Sequence, residues 1–584
     1  MKHAIMMTIF TLLPTLGFGP SVAAGPFEEG KAAYDRGDHA TALGLWRQMA
    51  DQGDAKAQFC LGFMYFLGQG VPQDYAEALT WYRKAADQGN ASAQANLANM
   101  YANGQGVKED HAEAVKWFLK AANQDNAGAQ FNLGAKYFYG QGVKQDYAEA
   151  VQWFRKAAEQ GETLAQRSLG IMYAKGEGVP QDYAEAAKWY RKAAELGDAL
   201  AQANLAGKYA QGQGVQRDYA EAAKWYRKAA DQGDSPSQNS LGVMYANGQG
   251  VPQDYAEAVK WYRRAAEQDD ASAQASLGFM SAQGKGVPKN CAEAIKWYSK
   301  AADQGHAVAQ NNLALMYAEG DGVKQDHATA VKWYRKAAEQ GENLAQFGLG
   351  LSYANGHGVP QDHAEAEKWY RKAADQGNTS AQYNLGVMYA EGQGIGQDYA
   401  EALKWFRKAA DQGQAWAQNR LGSMYAEGNG VAQDYIEAVK CYRKAADQGN
   451  DLAQFNLGLR YANGQGVPKD HGEAVKWYRK AADQGNASAQ YNLGLKYADG
   501  QGVPQNYTEA MKWYRKAAEQ GVGLALNNIG AMYANGRGVQ QDYAEAAKWY
   551  RQAAELGEAV AQTNLADIYA QGQGVSRDLA EAVK

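Results

Sequence analysis

Few side chains that can do chemistry stand together in this sequence. Its 584 residues include three cysteines, Cys60, Cys291 and Cys441, and no Ser-x-x-Lys nucleophile motif. No grouping of Ser, His and Asp and no pair of carboxylates stands out from the surrounding sequence. Because the cysteines are odd in number and far apart, we expect no disulfide framework. The sequence therefore predicts a protein that is not an enzyme.

The histidines offer one arrangement that invites comparison with a metal site. His357 and His363 flank Asp362 at a short distance in the sequence. This set has too few ligands, and its spacing matches no standard metal site. Other histidines, such as His111 and His327, stand where most copies of a repeated pattern have Tyr, so that one flat ring replaces another. We expect no metal and no other cofactor.

Gly-x-Gly pairs recur through the chain and raise the question of a phosphate cradle. The pair Gly68 and Gly70 follows a helical pattern rather than a strand, and no copy completes Gly-x-Gly-x-x-Gly or a Gly-Lys-Ser/Thr P-loop. Because the pair appears in every copy, it indicates a turn and not a nucleotide site. Glycine is suited to such turns since it adopts backbone angles that other residues avoid.

The element that carries these residues is a repeat of 36 residues copied along the chain. Tryptophans recur on one 36-residue ladder from Trp81 onward, and Cys441 fills its one missing position. Residues 55–558 form fourteen complete repeats, and residues 559–584 form an incomplete fifteenth. Residues 25–54 form an atypical leading helix pair, as a capping repeat does. One helix pair cannot bury its apolar stripe alone, so neighbouring repeats must stack into an α-solenoid.

Each repeat is predicted to form two helices. The first spans residues 55–66 and ends at the Gly-x-Gly loop. Asp74, three residues before Glu77, is an acidic variant of the capping box that opens the second helix. The second helix buries Trp81, leaves the following Arg and Lys toward solvent, and ends at Gly89.

The consensus of the repeat carries a family resemblance. It reads Ala-x-Ala-Gln-x-x-Leu-Gly-x-Met-Tyr, then Gly-x-Gly-Val-x-x-Asp-Tyr-Ala-Glu-Ala, then Trp-Tyr-x-Lys-Ala-Ala, most clearly in residues 487–521 and 379–413. This pattern resembles the Sel1-like repeat, a relative of the tetratricopeptide repeat. The resemblance implies an all-α protein whose antiparallel helix pairs wind into a right-handed superhelix that holds other proteins. Many bacterial members of the family are exported adaptors in envelope assembly, signalling or host contact.

The same resemblance supplies an enzymatic alternative. Some cysteine-rich relatives have been described as β-lactamase-like hydrolases. Those relatives carry paired cysteines in each repeat, whereas this chain has three cysteines in all. A hydrolase of this kind therefore stays the alternative to a non-enzymatic scaffold.

The amino terminus and the charge balance restrict location and partners. Residues 1–24 carry one formal side-chain charge, Lys2, followed by an apolar run and small residues up to Ala24. This is the pattern of a cleavable secretory signal, and the apolar run is too short, and too interrupted by Pro14, for a membrane anchor. We expect an exported chain, periplasmic or secreted, without a transmembrane span. A net charge of −5 and the lack of a basic stripe exclude nucleic acid as a partner.

Partner binding is predicted where the copies differ. Plotted at 100° per residue, positions 56, 59, 60, 63 and 67 point away from the inward face of the first helix. We call these positions and their equivalents in other repeats the variable face, because their residues change widely between copies. In the resembling folds this helix lines the concave surface. The candidate residues for binding a protein or peptide are Phe347, Leu351, Tyr383, Val387, Asn384, Phe455, Leu459, Asn456, Tyr491, Leu495 and Asn492.

Two interpretations of these residues stay open at this stage. The aromatic rings could anchor a peptide while the Asn amides hold its backbone, with Asn419 and Ser423 forming a polar gap. Alternatively, the rings pack between adjacent first helices. A rival surface is the ridge of Lys and Arg on the second helices, which could bind anionic polysaccharide, although such charges usually form a solvated face. The sequence does not predict the oligomeric state.

Overall fold

A computed structural model describes residues 25–583, and the predicted signal segment 1–24 lies outside them. Between residues 25 and 583 the chain forms 32 α-helices and no strand, and consecutive helices pair as first and second helix of each repeat. This confirms the predicted all-α solenoid of helix-turn-helix repeats. The predicted first helix, 55–66, extends one residue further in the structure, to Leu67.

In chain order the helices are α1 (Pro26–Asp35), α2 (His39–Asp51), α3 (Ala55–Leu67), α4 (Tyr75–Asp87), α5 (Ala91–Asn103), α6 (His111–Ala122), α7 (Ala127–Tyr139), α8 (Tyr147–Glu159), α9 (Thr163–Lys175), α10 (Tyr183–Glu195), α11 (Ala199–Gln211), α12 (Tyr219–Asp231), α13 (Ser235–Asn247), α14 (Tyr255–Ala266), α15 (Ala271–Gln283), α16 (Cys291–Asp303), α17 (Ala307–Glu319), α18 (His327–Glu339), α19 (Asn343–Asn355), α20 (His363–Asp375), α21 (Thr379–Glu391), α22 (Tyr399–Asp411), α23 (Ala415–Glu427), α24 (Tyr435–Asp447), α25 (Asp451–Asn463), α26 (His471–Asp483), α27 (Ala487–Asp499), α28 (Tyr507–Glu519), α29 (Gly523–Asn535), α30 (Tyr543–Glu555), α31 (Ala559–Gln571) and α32 (Leu579–Val583). From α3 onward the odd-numbered helices are the first helices of the 36-residue repeats. The described helices group into two compact halves that divide between Lys300 and Ala301.

The two glycines of each loop have different roles. Gly104 ends α5 with a φ of 67°, in the left-handed region that favours glycine. Gly106 also has a positive φ, of 70°, and a Cβ built on it would lie 2.4 Å from the carbonyl oxygen of Tyr75. Tyr75 begins the second helix of the preceding repeat. The second glycine therefore lets the loop of one repeat lie directly against the start of the second helix of the preceding repeat.

The cap of the second helix is confirmed, but the capping box is not closed as predicted. Asp74 Oδ1 accepts hydrogen bonds from the backbone N–H groups of Ala76 and Glu77. The N–H of Asp74 donates to the carbonyl of Tyr65 at 2.9 Å, so it is not left for the Glu77 side chain. In some repeats the equivalent Glu, such as Glu113, accepts from a Lys and a Trp further along its own helix, and in others, such as Glu185, from the Lys alone.

In the core of most repeats, an aromatic ring of the second helix packs against a glycine of the first helix. A Cβ on Gly62 in α3 would lie 2.6 Å from the ring of Tyr82 in α4, and most other repeats show the same contact. Trp81 is 4% exposed, which agrees with the predicted buried rungs. Some later rungs, Trp333 and Trp369 among them, are only half-buried. Close helix approach through glycine thus determines the packing of the pair.

Glutamines tie consecutive helices together inside the core. Gln58 Nε2 donates at 3.0 Å to the carbonyl of Ala50 at the end of the preceding helix, and this carbonyl also accepts from the N–H of Gly53. Gln88 Nε2 then donates to Gln58 Oε1 at 2.8 Å. The same two bonds recur in most repeats, so most repeats contain a partly buried amide pair linking the first helix to the end of the second.

Candidate peptide-binding surface

The variable face is less open at the predicted aromatic residues than the sequence suggests. Phe347, Tyr383, Phe455 and Tyr491 are half-buried. Each ring lies against the core ring on the second helix of its own repeat, with ring centroids 5.7 to 6.0 Å apart, in the pairs Phe347–Tyr370, Tyr383–Phe406, Phe455–Tyr478 and Tyr491–Tyr514. The packing interpretation therefore holds in part, but the main ring contact is with the second helix and not with the neighbouring first helix.

The apolar residues one turn further along these helices are more accessible. Leu351 is 41% exposed, while Val387, Leu459 and Leu495 are half-buried. Val387 and Leu495 also contact the buried clusters around α22 and α28. Among the predicted residues, Leu351 is thus the one whose side chain is best placed to touch a partner.

The asparagines of the predicted surface already have partners within the chain. Asn384 hydrogen-bonds the hydroxyl of Tyr370, Asn456 Nδ2 donates to Asn419 Oδ1 at 3.0 Å, and Asn492 Nδ2 donates to the carbonyl of Ser488 at 2.8 Å. A peptide backbone bound here would use the amide atoms that these bonds leave over.

The polar gap predicted at Asn419 and Ser423 is not an open polar patch. Asn419 is 5% exposed and accepts from Asn456, and Ser423 Oγ lies 3.2 Å from the hydroxyl of Tyr442. Asn419 therefore bonds the next repeat, and Ser423 bonds the second helix of its own repeat. What this part of the face exposes instead is Trp416, which is 47% exposed.

A cavity opens on the variable face of the N-terminal half, away from the predicted residues. It has a volume of about 320 Å³ and is lined mainly by apolar side chains from three consecutive first helices, α7, α9 and α11. Its lining includes Phe131, Ala135, Tyr139, Ile171 and Leu200. These residues occupy positions equivalent to 56, 59, 63 and 67, so the cavity lies on the variable face but in other repeats than the candidate residues.

The signal that marks this cavity in the sequence is a change of side-chain size. Ala135 stands at a position that holds Phe63 in the first complete repeat and Leu351 in a later one. A small side chain next to Phe131 and Tyr139 leaves unfilled space. The candidate residues are pairs of large apolar side chains, so this repeat, with Ala135, is not among them.

One ion pair lies at the edge of the cavity. Arg167 Nη1 lies 2.6 Å from Asp198 Oδ2, and the two side chains are only 12% and 9% exposed. Asp198 also caps α11, because its Oδ1 accepts from the N–H of Ala201. Arg167 therefore joins α9 to the start of α11 and holds the two helices in register beside the cavity.

On the basic ridge of the second helices, one Lys of most repeats pairs with a Glu of the same helix. Lys188 lies 2.5 Å from Glu185, and the same pairing one turn apart recurs on most second helices. On most second helices a later Lys lies over the Trp ring of the same helix, as Lys192 does over Trp189 at 4.1 Å. Exposed ion pairs of this kind contribute at most about 1 kcal/mol each. The Lys over the Trp ring and the Arg before it contact neutral groups and keep their positive charge.

The histidines and cysteines do not assemble a chemical centre among residues 25–583. His357 stacks on His327 with ring centroids 4.9 Å apart. Within the described part of the chain no three His, Cys, Asp or Glu side chains converge as a metal ion would require. Cys60, Cys291 and Cys441 are all free thiols. Burial raises the pKa of the Cys60 thiol to about 12, which keeps it protonated and unreactive at neutral pH.

No helix in the described range is both long and apolar enough to cross a membrane.

Comparison with known proteins agrees with this architecture. The Sel1 repeat matches the chain in sixteen consecutive segments. These are residues 27–54, 55–90, 91–126, 127–162, 163–198, 199–234, 235–270, 271–306, 307–342, 343–378, 379–414, 417–450, 451–486, 487–522, 523–558 and 559–584. The leading pair, 27–54, matches as a repeat although it lacks the Gly-x-Gly loop. No curated protein sequence matches the chain.

Two solved structures resemble the chain closely in sequence. One is a protective antigen present in uropathogenic Escherichia coli strains and displaying an SLR fold; it is 39% identical, with a TM-score of 0.65, over 77% of this chain and 97% of that one. The other is a Sel1 repeat protein from Oxalobacter formigenes, 38% identical, with a TM-score of 0.44, over 53% of this chain and 89% of that one.

Proposed function

We propose that this chain, which belongs to the Sel1 repeat family, is a non-enzymatic scaffold that binds a protein or peptide segment. Binding takes place on the variable face of the first helices, in the periplasm or outside the cell. Sel1-repeat solenoids are in general interaction scaffolds, and the predicted secretory signal of residues 1–24 supports the location. The partner is a polypeptide, not a nucleic acid.

The observation that carries the proposal is the row of exposed apolar side chains on the variable face. Leu344 is 54% exposed, Leu351 41%, Trp416 47% and Leu452 40%, and all four belong to first helices of the C-terminal half. Exposing such side chains to water does not stabilise the fold, since the inward positions of the same helices already fill the core. Exposed apolar residues grouped on one face of a soluble protein mark an interaction surface.

The candidate residues differ in what they would contribute. Leu351 and Leu459 offer apolar contact area, while the half-buried rings of Phe455 and Tyr491 provide a rigid floor because they rest on the rings of α26 and α28. A partner that lies along several repeats would meet a preformed surface, and a rigid surface lowers the entropic cost of binding.

Affinity capture tests the proposal with variants that spare the core. Wild-type chain, a Leu351→Glu/Leu459→Glu variant and an Ile436→Glu control are used to capture proteins from the native envelope fraction, followed by mass spectrometry. Ile436 is 58% exposed but lies on a second helix, so the control adds a charge away from the variable face. We expect one or more proteins to be retained by wild type and control and lost from the double variant.

Substitution of the aromatic floor gives a weaker test. Phe455→Ser and Tyr491→Ser would remove ring contacts with Tyr478 and Tyr514 as well as any partner contact, so loss of binding and loss of stability would come together.

Identical capture by all three chains of the first experiment would contradict the proposal. Turnover of a β-lactam by the purified chain would instead support the hydrolase alternative.

A further inference from the structure

The turns that join a second helix to the next first helix differ from the rest of the C-terminal half in exposure. We call the eight turns of this half the turn edge; each runs from the last residue of a second helix to the second residue of the following first helix. The turn edge comprises residues 303–308, 339–344, 375–380, 411–416, 447–452, 483–488, 519–524 and 555–560. Of the eleven large apolar side chains exposed among the described residues of this half, seven lie in these turns.

Consecutive turns of the edge lie side by side. Gln376 Nε2 donates to the carbonyl of Gly341, in the preceding turn, at 3.1 Å, and the same bond recurs between two later turns. The exposed apolar residue occupies the same position in consecutive turns, as Trp416 and Leu452 do. The same pairing occurs in two further places, with Val308 and Leu344 and with Leu524 and Val560. A partner that lies along the edge therefore meets apolar side chains in adjacent turns.

The turn edge is acidic. Its eight turns contain eleven Asp and Glu residues and no Lys or Arg. The full chain has 64 acidic and 59 basic residues, so the excess in the turns does not follow from the composition. Each of the eight second helices that enter these turns ends with Asp or Glu, where the helix dipole disfavours a carboxylate. The row of acids therefore does not stabilise the helices that carry it.

The carboxylates of the turn edge are not paired within the described part of the chain. The ion pairs of the C-terminal half all use other carboxylates, mostly the Glu in the first turn of a second helix. The cations nearest to Asp411 in sequence contact other groups. Arg407 Nη2 donates to the hydroxyl of Tyr425 at 2.7 Å, and Lys408 Nζ lies 4.0 Å from the centre of the Trp405 ring.

We propose that the turn edge of the C-terminal half is the docking surface for a cationic polypeptide segment. Apolar side chains of this segment cover Trp416, Leu452 and their equivalents, while its Lys and Arg side chains pair with the turn carboxylates. The inference rests on the proposed scaffold function. It names the chemistry of the partner and the part of the variable face that the partner meets, because the exposed apolar residues occupy the position equivalent to 56.

Charge distinguishes this partner from others that an apolar surface could bind. Acidic lipid headgroups and anionic polysaccharide would be repelled by the row of carboxylates, whereas Lys and Arg side chains would neutralise it. Exposed apolar residues grouped on one edge mark an interaction surface, and the charges around them select the partner. The two features occur in the same turns, as in Asp411 and Trp416, which begin and end one of them.

Peptide selection on the full chain tests the inference. A displayed library of random twelve-residue peptides is selected on the wild-type protein, and the affinities of enriched peptides are measured by fluorescence polarisation. We expect the enriched peptides to combine Lys or Arg with aromatic residues or leucine. Their affinity should fall several-fold when the salt concentration is raised from about 0.05 to about 0.5 M, because salt screens the ion pairs.

Two variants, each with a matched control, locate the binding. Asp411→Lys reverses a charge of the turn edge, and its control, Asp321→Lys, makes the same change in the exposed Gly-x-Gly loop after α17. Trp416→Ser removes an exposed ring, and its control, Ile436→Ser, removes an exposed apolar side chain from a second helix. All four side chains are exposed, and circular dichroism checks that the variants are folded. We expect binding about tenfold weaker for both edge variants and unchanged for the controls.

The outcomes separate this inference from the scaffold proposal. Enriched peptides that lack Lys and Arg, or that keep their affinity for both edge variants, would overturn the docking edge while leaving a scaffold that binds elsewhere. Equal weakening by Asp321→Lys and Asp411→Lys would show attraction by overall charge and also overturn it. Envelope proteins captured by the wild type, lost from Leu351→Glu/Leu459→Glu and retained by both edge variants would support the scaffold alone. A library from which no peptide is enriched would count against both proposals.

Discussion

Gln166 is a buried residue whose surroundings depart from the repeat. Its Nε2 donates to the carbonyl of Ala158 at 3.1 Å, as in other repeats. Its Oε1 has no hydrogen-bond partner, because Leu196 stands at the position where other repeats have a Gln, such as Gln88, that donates to this oxygen. In residues 523–558 both members of the pair are replaced together, by Leu526 and Leu556. Only the single replacement leaves a buried acceptor unpaired, which costs about 1–3 kcal/mol.

Restoring the missing donor should stabilise this repeat. We expect Leu196→Gln to raise the local free energy of unfolding by about 1 kcal/mol, which slows amide exchange in α9 and α10 roughly fivefold. Hydrogen exchange with mass spectrometry measures this in the full chain. The control is Leu556→Gln, which faces the apolar Leu526 and should slow nothing. Equal effects of the two substitutions would show that the orphan amide is not the cause.

The core tyrosines give the fold a defined response to alkaline pH. Burial raises the pKa of Tyr370 to about 12, although its hydrogen bond with Asn384 lowers it. Burial also raises the pKa of Tyr334 and of Tyr550 to about 12. Between pH 10 and 12 the unfolded chain loses these protons while the folded chain keeps them. Stability is therefore unaffected below pH 10 and falls as the pH rises through this window, by roughly 1.4 kcal/mol per pKa unit and residue.

A Phe substitution isolates this effect. Tyr370→Phe should reduce the decline in stability between pH 10 and 12, at the expense of the bond to Asn384 at neutral pH. Phe406 occupies the equivalent position in a later repeat, so the ring itself is tolerated. Urea unfolding followed by circular dichroism at pH 8, 10 and 11.5 measures the decline. An unchanged pH dependence in the variant would contradict the assignment.

At the scale of the elements, glycines of similar backbone angle should respond differently to a methyl group. Gly106→Ala combines a positive φ with a Cβ 2.4 Å from the backbone of the preceding repeat. Gly89→Ala has a φ of 91° and no atom within 4 Å, so it carries the backbone cost alone, about 1 kcal/mol. We expect Gly106→Ala to lower the melting temperature clearly more than Gly89→Ala. Equal losses would mean that the loop does not press on its neighbour.

The elements themselves could be predicted from the sequence almost residue by residue. Glycine, an N-cap Asp and 3.6-residue periodicity are local signals, and the helix bounds follow from them. For the candidate residues the sequence leaves a binding and a packing interpretation open, since exposure depends on what fills the space beside a residue. Phe455 lies against Tyr478, a residue 23 positions away, and no local pattern reveals that contact. The cavity at Ala135 depends on side chains from three helices, which no single-helix pattern reveals.

At the scale of the whole molecule, the repeat predicts that the chain tolerates loss of complete repeats. Each repeat contacts its neighbours, so stability is approximately a sum of repeat and interface terms. Deletion of residues 415–450 removes α23 and α24 and brings Gln414 before Asp451. Gln414 already caps α23 through the N–H of Ala417, and it can cap α25 in the same way through Ala453. We expect a folded chain with unchanged helicity per residue.

Deletion of half a repeat is the matched test of this architecture. Removing residues 433–450 takes away α24 alone, so that two first helices, α23 and α25, follow one another without the second helix that covers them. The ring of Tyr442 and the amide pair of Gln418 and Gln448 are lost with it. We expect this chain to lose helicity and cooperativity, whereas the 36-residue deletion keeps a melting temperature within a few degrees of wild type and a slightly smaller urea m-value. If both deletions behave alike, the 36-residue pair is not the unit that carries stability in this protein.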